Sequence, residues 1–230
     1  PRLRAFCRDP PEDVDLTIAT KFGQLLCNMQ GMLSSQDLVA MFQLFRPLAA
    51  QRAPDVRRAC AFNIPAALLV LGPERFPVDL KQVFVALSSD PSASVRRSVA
   101  AGFHEVTRLL TKQLSSHVRD IFFKLLQDSP EVVDPMIENI PTIARCFETE
   151  SLVFQNAFFA ALIESNDKLV TSRDWRMHER LVRQFQNVFV FIPTSQITDK
   201  LVPVLLDIMA GNVCCFIQFF FFFKGLSPPV

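Results

Sequence analysis

Between Ser88 and Val106 the chain reads SSDPSASVRRSVAAGFHEV, and its apolar residues Val95, Val99, Phe103 and Val106 fall at i, i+4, i+8 and i+11. That spacing marks one face of an α-helix. Asp90-Pro91 punctuates the turn before it, and Ser94 is placed to cap a helix opening at Val95. Arg96 and Arg97 sit in the first helical turn, where positive charge opposes the helix dipole and calls for an anion nearby.

The same pattern recurs along the chain. Asp55-Val56-Arg57-Arg58-Ala59-Cys60-Ala61 lies over Ser94-Val95-Arg96-Arg97-Ser98-Val99-Ala100. Asp13-Val14 opens an earlier copy, Asp128-Ser129-Pro130-Glu131-Val132 a later one, and Asp174-Trp175-Arg176 restarts the unit near the C-terminal end. The anchors Val14, Val56, Val95, Val132 and Trp175 are about forty residues apart, and Asn63-Ile64-Pro65 is echoed by Asn139-Ile140-Pro141. Units of this length built from paired helices predict an all-α HEAT-repeat solenoid, with about five helix pairs and a truncated sixth.

Taken in order, Arg2 to Arg8 reads as the end of a first helix, followed by a helix from Val14 to Gln30. Helices are then expected over Gln36–Ala49 and Pro54–Leu71, Val78–Ser88 and Ser94–Leu110, and Ser116–Gln127 and Pro130–Phe147. Ser151–Asn166 and Asp174–Phe191 make the fifth pair, and Gln196–Met209 stands alone. Pro65 and Pro141 lie inside second helices and are expected to kink them. The array is expected to span residues 1–210. Residues 211–230, with the run Phe219–Phe223, form a tail outside the pattern, too short an apolar stretch to span a membrane. The opening at Pro1 reads as the start of a piece of a longer protein.

Composition sharpens this picture by exclusion. Twenty-four basic and twenty-three acidic side chains leave a formal charge of +1, so no bulk field favours nucleic acid. The six cysteines show neither a C-x-x-C pair nor metal-ligand spacing with the three histidines, which fits reduced thiols and a cytoplasmic protein. Cys60 falls on the core position held by Val99 and reads as a small buried hydrophobe. His104-Glu105 lacks the second histidine of a zinc motif, and no phosphate loop or nucleophile elbow occurs. Neither a cofactor, a metal nor an enzymatic activity is expected.

The arginines Arg57, Arg96 and Arg176 share a register. They serve either to stack neighbouring repeats, by reaching a turn aspartate or helix carbonyls, or to line a ridge that grips an acidic partner. The stacking role is favoured, because repeat arrays make their contacts between neighbours.

The series Asp55–Pro65, Gly72–Phe76, Ser94–Arg97 and Gly102–Val106, with Asp174-Trp175-Arg176, Phe191–Ser195 and Lys200–Val204, resembles the HEAT-repeat regulatory subunits of protein phosphatase 4. These are relatives of the scaffold subunit of protein phosphatase 2A. The resemblance covers residues 1 to about 210. It implies a non-catalytic subunit that holds a serine/threonine phosphatase catalytic subunit on the ridge of turns within repeats. Here those turns are Pro10–Asp13, Arg52–Asp55, Ser89–Ser94, Asp128–Glu131 and Thr171–Asp174. The implied contact residues are Arg52, Asp55, Asp90, Ser92, Asp128, Glu131, Arg173 and Asp174. The residues by themselves leave open a karyopherin-like adaptor or an enzyme on a helical scaffold.

Overall fold

A computed structural model describes residues 12–110, 117–147, 152–172, 174–192 and 194–211. The described residues contain helices and turns and no strand. The helix read at Arg2–Arg8 and the phenylalanine run lie outside them. The chain divides into two compact units, 1–149 and 150–230. That division falls inside the stretch read from sequence as one array.

In the first unit, α1 (Glu12–Asn28), α3 (Pro54–Leu71) and α5 (Ala93–Leu109) pack side by side in that order. The layer continues through α7 (Pro130–Val133), a 3-10 segment (Asp134–Asn139) and α8 (Ile140–Cys146). A second layer holds α2 (Ser35–Ala49), α4 (Lys81–Ser88) and α6 (Arg119–Leu126). The anchors Val56, Val95 and Val132 are all buried between helices. Between the layers runs a column of buried rings, Phe76, Phe84, Phe103, Phe122 and Phe147, with successive centroids 6.0, 5.9, 5.8 and 5.9 Å apart. A chain with 23 Phe and no Tyr builds such a column without burying hydroxyls that would need partners.

Several boundaries differ from those the periodicity predicts, each for a local reason. The helix expected to open at Val95 begins at Ala93, with Ser92 at its N-cap and no side-chain cap hydrogen bond. Ser94 does not cap it; the Ser92 amide instead donates to Asp90 Oδ1 at 2.9 Å, so the turn aspartate orders the entry. α2 does carry a side-chain cap, with Ser34 Oγ accepting from the Asp37 amide and Asp37 accepting from the Ser34 amide. The helix expected from Val78 is preceded by a 3-10 turn (Pro73–Arg75) and a π turn (Phe76–Leu80), which bury Phe76 and leave Val78 exposed. α3 continues through Pro65, whereas the helix expected over Pro130–Phe147 is split into three pieces. Pro135 and Pro141 each stand in the first turn of a new piece, where a missing amide donor leaves no bond unmade.

α3 approaches its neighbours closely where they carry glycine. Asn63 on α3 donates to the carbonyls of Ala19 and Ala59, both at 2.8 Å, and accepts from the Gly23 amide at 3.0 Å. A Cβ on Gly23 would stand 2.3 Å from Asn63 Oδ1, and one on Gly102 of α5 would stand 3.1 Å from Pro65 Cγ.

The second unit pairs α9 (Leu152–Ser172) with α10 (Trp175–Val188). Beyond a 3-10 turn (Phe189–Phe191), helical turns at Thr194–Gln196 and Ile197–Leu201 lead into α11 (Val202–Gly211). α9 runs past Asn166, so Thr171 and Ser172, read as turn residues, are helical. Trp175, read as the anchor of the fifth unit, is 60% exposed. The inward positions are Met177, His178, Leu181 and Val182, a register two residues later. Asp174 explains the shift: it is the N-cap, accepting from the Met177 amide, and it leaves Trp175 on the outer side of the first turn.

Candidate functional site

The turns of the first unit are tied together by side chains of the helices they precede. Arg57, on the first turn of α3, donates from Nε and Nη2 to Asp90 at 2.6 and 2.9 Å. Its Nη1 donates to the carbonyls of Gln51 and Arg52 at 2.7 and 2.6 Å. One repeat later Arg96 does the same: Nε and Nη2 to Asp128 at 2.7 and 2.9 Å, and Nη1 to the carbonyls of Asp90 and Pro91 at 2.7 and 3.2 Å. Each guanidinium thus holds the backbone of its own turn and the carboxylate of the next. The planar fork makes both bonds to a carboxylate at once, which a lysine cannot do.

Both rungs are mostly out of solvent, with side-chain exposures of 14% and 5% for Arg57 and Asp90 and 18% and 13% for Arg96 and Asp128. Burial alone would raise the Asp90 carboxyl. The Arg57 hydrogen bonds, the Ser92 amide and the Arg57 and Arg96 charges outweigh it and hold Asp90 below the usual range. Asp128 is likewise held low, burial being outweighed by Arg96 and the Ser129 amide. The hydrogen bond to its aspartate raises each arginine in turn. Breaking a desolvated pair of this kind by removing one partner costs about 3–5 kcal/mol.

The series has an inverted rung upstream. Asp15 occupies on α1 the place of Arg57, and Gln51 the turn place of Asp90; Gln51 Nε2 donates to Asp15 Oδ2 at 2.7 Å. With only a neutral donor described beside it, Asp15 is raised by burial. Burial, with the Asp15 charge behind it, pushes the neighbouring Cys60 thiol up to about 12, so this cysteine stays a thiol near neutral pH. Downstream, the place of Arg57 and Arg96 is taken by buried Val133, and the rungs end at Asp128.

The rungs sort the contact residues that the turn ridge implies. Asp90 and Asp128 point inward and are engaged, and Ser92 is half-buried. Arg52, Asp55 and Glu131 are exposed, but Asp55 and Glu131, read as turn residues, already lie in the first turns of α3 and α7, which open at Pro54 and Pro130. Asp55 pairs with Arg58 at 3.1 Å, and the Glu131 carbonyl accepts from Arg97 Nε at 3.1 Å. In the second unit Asp174 is exposed and caps α10, while Arg173 lies outside the described residues. Arg176 makes none of the described rung contacts; its guanidinium lies 4.6 Å from the centre of the Trp175 ring. The position that matches Arg57 in the corrected register is His178, whose Nε2 is 2.9 Å from Asn166 Oδ1 within the buried face of α9 and α10. Sequence reading missed Asp15–Gln51 and Asn166–His178. The first has a signal, since Gln51 stands five residues before its anchor just as Asp90 does.

Among the described residues no group of three His, Cys, Asp or Glu side chains is placed to hold a metal ion, and no helix is long and apolar enough to cross a membrane. What the geometry offers is an edge of short polar turns, joined to one another by the arginine–aspartate rungs.

No family model matches the chain. Among curated proteins it is 23% identical over 245 residues to mouse serine/threonine-protein phosphatase 4 regulatory subunit 4, a match covering 92% of this chain and 28% of that protein. The human protein of the same name matches over the same extent. Human serine/threonine-protein phosphatase 4 regulatory subunit 1 is 26% identical over 162 residues, covering 69% of this chain and 16% of its own. The chain is similar to protein phosphatase 4 regulatory subunits. It spans little more than a quarter of the length of the first of them. The resemblance read from Asp55 to Val106 and beyond agrees with these names.

Proposed function

We propose that the chain is a stretch of HEAT-type solenoid from a non-catalytic, cytoplasmic regulatory subunit. It holds a serine/threonine phosphatase catalytic subunit of the phosphatase 4 type on its intra-repeat turns. The observation that carries this reading is the repeated geometry of Arg57–Asp90 and Arg96–Asp128. It fixes three successive turns to one another and leaves Arg52, Asp55 and Glu131 outward on the same edge. A rigid partner meets several preset contacts at once there and loses little entropy in ordering them. The names of the similar proteins supply the kind of partner.

The test is capture of the phosphatase 4 catalytic subunit by the full chain and by variants changed at exposed turn residues. Arg52→Glu or Glu131→Lys alone should weaken capture in part, and the two together by about tenfold or more, with an unchanged melting temperature. Undiminished capture by the double variant refutes the ridge assignment. Capture of no phosphatase by the unaltered chain refutes the function. Phosphate release by the purified chain alone would show an enzyme instead.

A further inference from the structure

We propose that the outer face of the layer formed by α3, α5 and α8 is a docking surface for an acidic peptide segment with apolar side chains. It is separate from the turn ridge and uses none of its residues. Phe62 is 73% exposed and Leu69 53% exposed. Both lie on α3, seven residues and so about 10 Å apart along one face. In the repeat register the positions flanking Phe62 are Thr20 on α1 and Ala101 on α5, both too small to cover the ring. An exposed aromatic and a leucine on one face therefore stand open to a partner.

The charges beside them set the partner's sign. Leu69 shares its register position with Arg108 on α5 and Arg145 on α8, and both arginines are exposed. Neither makes a hydrogen bond or ion pair to another described residue. The other arginines of this layer are engaged: Arg57 and Arg96 in the rungs, Arg58 with Asp55, and Arg97 with Asp134 and the Glu131 carbonyl. Of the acidic side chains on this face, Glu105 and Glu138 are exposed, Glu105 lies 3.9 Å from His104, and both stand nearer the turn ridge than Arg108 and Arg145. The face is therefore apolar at Phe62 and Leu69 and carries the exposed guanidinium groups of Arg108 and Arg145 towards the ends of α5 and α8. A peptide that places leucine or phenylalanine on the first and carboxylates on the second complements both.

The probe is a fluorescently labelled peptide alternating glutamate with leucine and phenylalanine, titrated with the full chain and followed by anisotropy. Phe62→Ser and the pair Arg108→Glu with Arg145→Glu should each weaken binding by about tenfold, and added salt should weaken it further. Leu69→Ser gives a second apolar change at an exposed position. Lys200→Glu, exposed in the other unit, should leave the affinity as it is. The proposal is overturned if the full chain does not bind the peptide, or if the double arginine variant binds it as tightly. It is also overturned if a glutamine version of the peptide or a single-stranded oligonucleotide binds equally well. Capture of a phosphatase by the ridge is a separate measurement, and these outer-face variants should retain it.

Discussion

The two units satisfy the same problem, a polar side chain on the inner part of a second helix, with opposite chemistry. In the first unit the answer is ionic and crosses between repeats, Arg57 to Asp90 and Arg96 to Asp128. In the second it is neutral and stays within one helix pair, His178 to Asn166. Ion pairs also occur on α9 and α10, but Lys168–Glu164 and Arg183–Glu179 are spaced i, i+4 along a single helix and are largely exposed. Charge therefore sets register between repeats in the first unit. In the second, Met177, Leu181 and Phe185 form the buried apolar face of α10 beside that neutral pair.

The comparison is broken most directly by removing one carboxylate. Asp90→Ala leaves Arg57 without its acceptor and releases the Ser92 amide, so the first unit should lose about 3–5 kcal/mol. Segment-resolved hydrogen exchange should show the loss in α3 to α5, with α9 and α10 changed far less. An equal loss of protection in both units would mean that the rungs do not act locally. Gly23→Ala tests the packing side of the same unit. Its Cβ would meet Asn63 Oδ1 at 2.3 Å, and overpacking of this kind costs about 1–3 kcal/mol. Gly102→Ala should cost less, since Pro65 stands 3.1 Å away and a shift of a few tenths of an ångström relieves it.

Acid should separate the units by pH. The buried His178 has its pKa lowered by desolvation, so the unfolded chain takes up a proton first as pH falls below about 6.5. The second unit therefore loses stability from there downward, until the folded histidine itself protonates. Asp90 and Asp128 are held low in the fold, and their contribution is intact above about pH 4 and fades as pH falls through their folded values. Asp15 runs the other way: its raised pKa makes the folded state take up a proton first, which slightly favours the first unit as pH falls. Between about pH 6.5 and 4 protection should thus fall in α9 and α10 and hold in α3 to α5. His178→Gln should flatten the response of the second unit. A pH response that survives this change would assign it to another group.

Much of the first unit was legible in the sequence because its signals are local and repeat. Val56, Val95 and Val132 recur at one spacing, and the arginine after each of the first two is followed one repeat later by a turn aspartate. The ridge residues were harder to sort, because a turn aspartate looks the same in sequence whether its carboxylate faces inward, as Asp90 does, or outward, as Asp55 does. Asn63 shows the limit more sharply. Its partners Ala19 and Gly23 lie forty or more residues away, and no pattern around Asn63 names them. In the second unit the frame slipped by two because Asp174-Trp175-Arg176 imitates the earlier Asp-Val-Arg. Asp174 is spent on capping the helix, and the large indole stays outside.

That imitation gives the smallest expected effect. If Arg176 were a rung, its loss would cost as much as the loss of Arg57. It lies instead over the exposed Trp175 ring, where a cation–π contact contributes only about 0.5–1 kcal/mol. Arg176→Ala should therefore shift the melting of the second unit barely, while changing the emission of Trp175, the single tryptophan of the chain. Arg57→Ala, measured beside it, leaves the Asp90 carboxylate buried without its cation and frees the carbonyls of Gln51 and Arg52. A loss on Arg176→Ala as large as that on Arg57→Ala would show that Arg176 has a rung partner. The second unit would then hold an ionic rung of its own, and the contrast between ionic and neutral solutions would fall.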